Sequence, residues 1–320
     1  MIPRIQFANL PTPVEALPRL SAALGIHLLV KRDDLTDLAL GGNKTRKLEF
    51  LLAEAQAHGA RTLITAGAVQ SNHCRQTAAA AARFGLGCIL VLAGAQPAEG
   101  ASGNLLLDQI LGAEIVWCQG EERTAVLQQT FDQAWAAGRR PYLIPYGGSN
   151  PIGAVAYAYA LEELLGQGVT PDWIVFPSSS GGTQAGLIAG ARRSGYAGRI
   201  LGISVDEPAS EMQPRLAALA SETADRLGFK ATFSPEEILI NDHYLGGGYG
   251  VMGTPEREAI QLFARNEGLL LDPVYTGRAA AGLIDLARQG TFKPSETVLF
   301  WHTGGTPALF ADSYARLLLA

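Results

Sequence analysis

The sequence predicts an α/β fold made of two open, mainly parallel, three-layer α/β/α units, and three observations carry that prediction. Short β-rich runs alternate with helix-length segments almost throughout. Runs such as Trp173–Pro177 (W-I-V-F-P) are continuously apolar, as expected of parallel strands covered on both faces. Glycine-rich turns fall where a strand passes into a helix. With 320 residues, 48% of them hydrophobic, the length suggests two domains or one large α/β unit, with ample material for a core.

Taken in order, Ile26–Lys31 reads as a strand, followed by a glycine turn and a helix from Asn43. Arg61–Ala66 is the next strand, and the alanine-rich Ser71–Arg83 a helix. Strands at Cys88–Leu92, Glu114–Cys118 and Pro141–Pro145 alternate with helices at Asn104–Leu111 and Arg123–Ala137. A second block repeats the pattern. It has helices at Val155–Leu165, Thr183–Arg193, Met212–Leu227, Pro255–Gly268 and Arg278–Gln289. Its strands are Trp173–Pro177, Ile200–Val205, Ile238–Ile240 and Thr297–Trp301, with Thr306 and Pro307 as cap and first turn of a terminal helix. The expected division is a large domain of residues 1–47 and 154–320, with a small domain, 48–153, inserted.

Charge and composition exclude several classes. A net charge of -5 gives no reason to expect nucleic acid or an anionic membrane as partner. No apolar run reaches membrane-span length, and the N-terminal stretch lacks a secretory pattern. Cys74, Cys88 and Cys118 are few and in no metal-ligand spacing, so no metal is expected and a reducing cytoplasm is the expected compartment.

The chemistry concentrates in the turns. In L-G-G-N-K-T-R-K-L-E, Lys44 stands in the first turn of a helix with Asn43 as its expected cap. A cation there opposes the macrodipole, which lowers the pKa of an amine and suits a nucleophile. Gly67–Arg75 (G-A-V-Q-S-N-H-C-R) ends a strand, and Ser71 or Asn72 would cap the next helix, leaving N–H groups that can bind a carboxylate or phosphate. His73 and Cys74 read as structural. Ser178–Gly186 (S-S-S-G-G-T-Q-A-G) reads as a phosphate cradle. It lacks both the P-loop ending and the dinucleotide spacing, so a small phosphate monoester fits better than a nucleotide. Two further glycine-flanked loops present Tyr249 and Tyr275, and His302–Pro307 repeats the strand-glycine-cap arrangement.

Together G-G-N-K-T-R-K-L-E, Q-S-N-H-x-R-Q-T-A-A, S-S-G-G-T-Q-A-G, G-Y-G, L-L-D-P-V-Y-T-G and H-T-G-G-T-P resemble the family of D-cysteine desulfhydrases and 1-aminocyclopropane-1-carboxylate (ACC) deaminases. These are pyridoxal-phosphate enzymes of fold type II, similar to tryptophan synthase β. The resemblance spans about Leu10 to Phe310. It implies pyridoxal 5'-phosphate as cofactor, a small amino acid as substrate and a homodimer. It further implies that Lys44 binds the cofactor as a Schiff base, and that Lys47 meets the phosphate beside Ser180, Gly181, Gly182 and Thr183. Asn72 would bond the ring oxygen, and Ser71, with Gln70 nearby, the substrate carboxylate. Tyr249 and Tyr275 would flank the substrate, with Thr276 by the pyridine nitrogen. The deaminases carry Glu and Leu where this chain has Thr276 and Thr303. A neutral hydroxyl makes a weaker electron sink, which favours β-elimination from D-cysteine. Sulfite elimination from cysteate and ACC deamination are the alternatives. From a different class, a non-catalytic small-molecule binding protein would share the fold and loops but give no reason for Lys44.

Overall fold

The computed structural model describes residues 2–319. Its first half runs β1 (Val14–Ala16), α1 (Pro18–Leu24), β2 (His27–Arg32), α2 (Asn43–Ala57), β3 (Thr62–Ala68), α3 (Asn72–Arg83), β4 (Gly87–Ala93), α4 (Gly103–Ile110), β5 (Glu114–Cys118), α5 (Arg123–Ala136) and β6 (Pro141–Leu143). It continues with α6 (Pro151–Gly166), β7 (Trp173–Ser178), α7 (Gly182–Ser194), β8 (Arg199–Ser204), α8 (Ala209–Arg226), β9 (Ile240–Asn241), α9 (Thr254–Glu267), α10 (Thr276–Arg288), β10 (Thr297–His302) and α11 (Asp312–Leu319). No helix among the described residues is long and apolar enough to cross a membrane.

The strands form two sheets, in the orders β1-β2-β10-β7-β8-β9 and β5-β4-β3-β6. Every pairing is parallel except that of β1 with β2. This is the expected α/β class. Strand alternation sorts the side chains to helices on both faces of each sheet. In β10, Val298 and Phe300 pack toward α9 and α10, while Leu299 and Trp301 pack toward α6, α7 and α8. In the smaller sheet, Leu63, Cys88, Leu90 and Leu92 face α2 and α3, whereas Ile64 and Ile89 meet Ala134 of α5. The expected domain edges at 47/48 and 153/154 fall inside α2 and α6. Helix α2 feeds both cores, with Phe50 in one and Leu48, Leu51 and Leu52 in the other.

Some local expectations are corrected. β1 and α1 were not expected, because a three-residue edge strand carries no periodicity and Leu17 before α1 makes no side-chain cap. Thr306 and Pro307 open a 3-10 turn with Gly305 at its cap, and the last helix begins only at Asp312.

One buried knot joins the large sheet to α2. The Asp33 carboxylate, fully buried, accepts from Thr12 Oγ1 (2.9 Å), Arg46 Nε (3.0 Å), Arg46 Nη2 (2.8 Å), Tyr157 OH (2.6 Å) and Trp301 Nε1 (2.8 Å). Arg46 also bonds Glu163 of α6, which in turn pairs with the buried Lys31 at 2.7 Å. Burial acts to raise the Asp33 carboxyl, but the charge and hydrogen bonds of Arg46, with those of Tyr157 and Trp301, hold it below the usual range. Asp33→Asn leaves Arg46 buried with less countercharge, and should lower the unfolding free energy by about 3–5 kcal/mol, read from urea midpoints. The stability from Asp33 is complete above the ordinary carboxylate range and lost as pH falls through its folded value. The wild-type midpoint should therefore fall more steeply in acid than that of the variant. Equal midpoints at neutral pH would remove the knot from the account of stability.

Candidate active site

Lys44 is the second residue of α2, and the chain reaches it through a strained turn. Asp37, Leu38, Ala39 and Leu40 all have left-handed φ (65°, 59°, 52° and 69°), a run that non-glycine residues rarely adopt. Arg75 of α3 donates to the carbonyls of Ala39 and Gly41 and holds the turn in place. Gly42 then takes the cap position, and Asn43, expected there, is the first helical residue. The N–H of Asn43 is served by the Thr303 carbonyl at 3.0 Å, so no side-chain cap is needed; its Nδ2 donates to Thr183 Oγ1 at 3.2 Å.

Burial lowers the Lys44 ammonium from 10.5 to about 8. The sequence reading assigned such a shift to the macrodipole, but the larger cause is the loss of water. Lys47, one turn on, is pushed well below its ordinary value by burial and then by the charge of Lys44. Its Nζ lies 3.2 Å from the Gly147 carbonyl and 3.4 Å from Ser149 Oγ.

Lys44, Ser71, Asn72, Ser180, Gly181, Thr183, Tyr275 and Thr303 line one cavity, so the structure brings most of the sequence-derived candidates together. Ser71 caps α3 by accepting from Cys74 N at 3.2 Å. A Cβ on Gly67 would come within 2.5 Å of Ser71 Oγ, so only glycine lets the strand end approach that cap. Asn72 Oδ1 accepts from Asn104 Nδ2 at 2.8 Å, which leaves the amide N–H groups as its free donors. Helix α7 starts at Gly182 behind the left-handed Gly181, one residue earlier than expected. A Cβ on Gly182 would meet Ser149 Oγ at 2.7 Å and Lys47 Nζ at 3.0 Å, so bare backbone is required beside the lysine. Gly182 N donates to Ser149 Oγ, while the N–H groups of Thr183 and Gln184 stay open at this helix start beside Lys47, an arrangement that can receive an anion.

Five other candidates sit behind or beside the cavity. Gln70 is bonded to Ser102 O and Asn104 N and faces a second cavity. Tyr249 also lines that second cavity and meets Tyr275 hydroxyl to hydroxyl at 2.7 Å. Thr276 donates to Asp272 Oδ1 and accepts from Asp272 N, both at 2.7 Å. Lys47 and Gly182 adjoin each other without lining the cavity.

The sequence reading missed Tyr146 and Ser149, and within the Ser178–Gly186 loop it gave Ser179 no role. Tyr146 and Ser179 line the cavity, and Ser149 bonds both Ser180 Oγ (2.8 Å) and Gly182 N (3.0 Å). A signal was present, since Tyr146–Ser149 follows a strand with two glycines, like the loops that were singled out. His73 also lines the cavity. Thr65 Oγ1 gives its proton to Ile144 O (2.9 Å), so His73 Nε2, 3.0 Å away, is the donor to it. Burial, with Lys44 and Lys47 near, pushes the His73 pKa well down, so the ring is neutral.

Comparison with known proteins identifies the family. A family model described as pyridoxal-phosphate dependent enzyme matches residues 5–304. A crystal structure of an "ACC deaminase homologue" is 40% identical, with a TM-score of 0.91, over 99% of this chain and 96% of that one. A fungal L-serine ammonia-lyase from Rhizomucor miehei shares the fold at 16% identity, with a TM-score of 0.69 over 96% and 97% of the two chains. A buried low-pKa lysine between two helix starts, in a chain matched over nearly its whole length, places this protein in the family of pyridoxal-phosphate-dependent enzymes.

Proposed function

We propose that the chain is a carbon–sulfur lyase that converts D-cysteine to pyruvate, hydrogen sulfide and ammonia. The make-up of the cavity carries the reading: one lysine, two helix starts and several hydroxyls, with no carboxylate and no arginine among its lining residues. Two helix starts suit two anions, a cofactor phosphate and a substrate carboxylate. A third anion, such as the sulfonate of cysteate, finds no cation to pair with. The D enantiomer comes from the motif resemblance alone, as does the homodimer that forms part of this proposal.

The residues fit pyridoxal phosphate. The Gly181–Thr183 turn and Lys47 would hold its phosphate, which would restore the charge that burial takes from Lys47. Asn72 would donate to its ring oxygen. When bound, the cofactor supplies an electron sink for the Cα of the amino acid. The N-terminal end of α3 at Ser71 orients the carboxylate, and Tyr275 flanks the substrate with its hydroxyl fixed by Tyr249. Lys44 Nζ takes the Cα proton. A pKa of about 8 leaves roughly a tenth of such an amine neutral at pH 7, enough for a nucleophile and base.

The 40% identity with an ACC deaminase homologue supports ACC deamination as a second reading. Ring opening calls for a carboxylate at the ring nitrogen. The one next to Thr276 is Asp272, whose oxygens already accept from the N–H groups of Val274, Tyr275 and Thr276 and from the Thr276 hydroxyl. That arrangement favours elimination.

Sulfide and pyruvate release, measured on both cysteine enantiomers, cysteate and ACC, should give the highest kcat/KM for D-cysteine; a preference for ACC or cysteate overturns the assignment. Borohydride reduction of the loaded enzyme should fix the pyridoxyl group on the peptide containing Lys44, and a label on another lysine would end the reading. Because the neutral amine is the reactive form, cofactor attachment to the cofactor-free protein should quicken as pH rises toward about 8 and then level off. Gly182→Val should obstruct the phosphate and weaken cofactor affinity, as titrated by absorbance; unchanged affinity in a folded variant places the cradle elsewhere.

A further inference from the structure

Tyr146 lines the Lys44 cavity but takes no part in the proposed lyase chemistry. It begins a 3-10 turn after β6, on the smaller-sheet side of the molecule. Tyr275, from the turn before α10, lines the same cavity. Tyr249 backs Tyr275, with the two rings edge to face at 5.9 Å and 74° and their hydroxyls 2.7 Å apart. Tyr146 belongs to the same cluster. Burial raises its hydroxyl pKa, Asp206 adds to that, and Arg123 and the Tyr249 hydroxyl act in the opposite sense. Aromatic rings from both halves of the molecule thus meet at this cavity.

The outer support of Tyr146 is a cation. The Arg123 guanidinium lies 4.6 Å from the centre of the Tyr146 ring. Arg123 is the first residue of α5, where a positive charge is disfavoured by the macrodipole, and among the described residues it forms no ion pair. Stacking on the tyrosine face offsets that disadvantage and limits the ring's freedom to swing. A two-torsion aromatic held on its face is a stiff wall, whereas a leucine or methionine there would yield to a longer ligand.

We propose that Tyr146, held by Arg123, sets the length of substrate side chain that the cavity accepts, favouring a short chain of cysteine size over longer ones. This rests on the reading of the cavity as an amino-acid site, and it concerns bulk at one position. The bulk of the ring excludes longer chains, and the hydroxyl is not needed for that.

The test uses the cofactor-loaded enzyme and amino acids without a β leaving group: D-alanine, D-norvaline and D-phenylalanine. Their binding is followed by the change in cofactor absorbance. Tyr146→Ala should raise norvaline affinity relative to alanine by about tenfold or more, since one methylene in an apolar pocket discriminates by at least that factor. Tyr146→Phe should keep the wild-type ratio, and Arg123→Ala should move it part of the way toward that of Tyr146→Ala. Tyr146→Leu, with the same direction expected, stands in if the alanine variant does not fold. An unchanged ratio in the Ala or Leu variant overturns the proposal, as does a Phe variant that relaxes as far as Ala. A wild type that binds these amino acids but releases no sulfide from cysteine ends the lyase reading alone, while the affinity ratio still decides Tyr146.

Discussion

The fixed point of the molecule is the buried pair of Asp33 and Arg46. Arg46 sits two residues beyond Lys44, so whatever holds its guanidinium also sets the rotation and depth of helix α2. Five hydrogen bonds converge on Asp33 from the N-terminal arm, α2, α6 and β10, and a charge so enclosed cannot move without exposing its partner to an apolar medium. The strained turn just upstream is tolerable for the same reason. Gly42 N is bonded to the Asp33 carbonyl, and Arg75 ties the turn to α3, the helix whose start would face a substrate carboxylate. The lysine and the start of α3 are therefore positioned by one connected set of bonds.

Against this rigid frame, the cavity holds an electrostatic imbalance. Lys44 and Lys47 are buried near each other, no carboxylate lines the cavity, and two helix starts add partial positive charge. A protein interior disfavours such an arrangement unless an anion completes it. Family membership supplies that anion as the cofactor phosphate. The depressed Lys44 pKa and the need for a phosphate have a common origin in the same desolvated surroundings, in keeping with the clustering of perturbed groups at functional sites.

Much of this was legible in the sequence. Continuous apolar strands gave the parallel sheets, because a strand covered on both faces has no polar face to show. The loops after β3, β7 and β10, and the turn before α2, were found because glycine and small polar residues must stand where backbone N–H groups are left open to a ligand. The edge strand β1 was invisible, since three residues cannot display a period. Asn43 was misplaced as a cap because its N–H is served by Thr303, 260 positions away in the chain, and local composition holds no trace of such a partner.

The sequence by itself determined the fold class, the helix starts behind small polar and glycine turns, and the place of Lys44 in the first turn of its helix, because each depends on interactions among near neighbours in the chain. Only the tertiary structure decided which candidates share a cavity. It turned Gln70 and Tyr249 toward a second cavity, bound Thr276 to Asp272, and brought in Tyr146 and Ser149, because side-chain direction and hydrogen-bond partners are set by contacts between distant segments. The shifted lysine pKa has the same source: its sign could be guessed from the helix start, but its main cause, the exclusion of water, exists only once the two halves of the chain have closed around it.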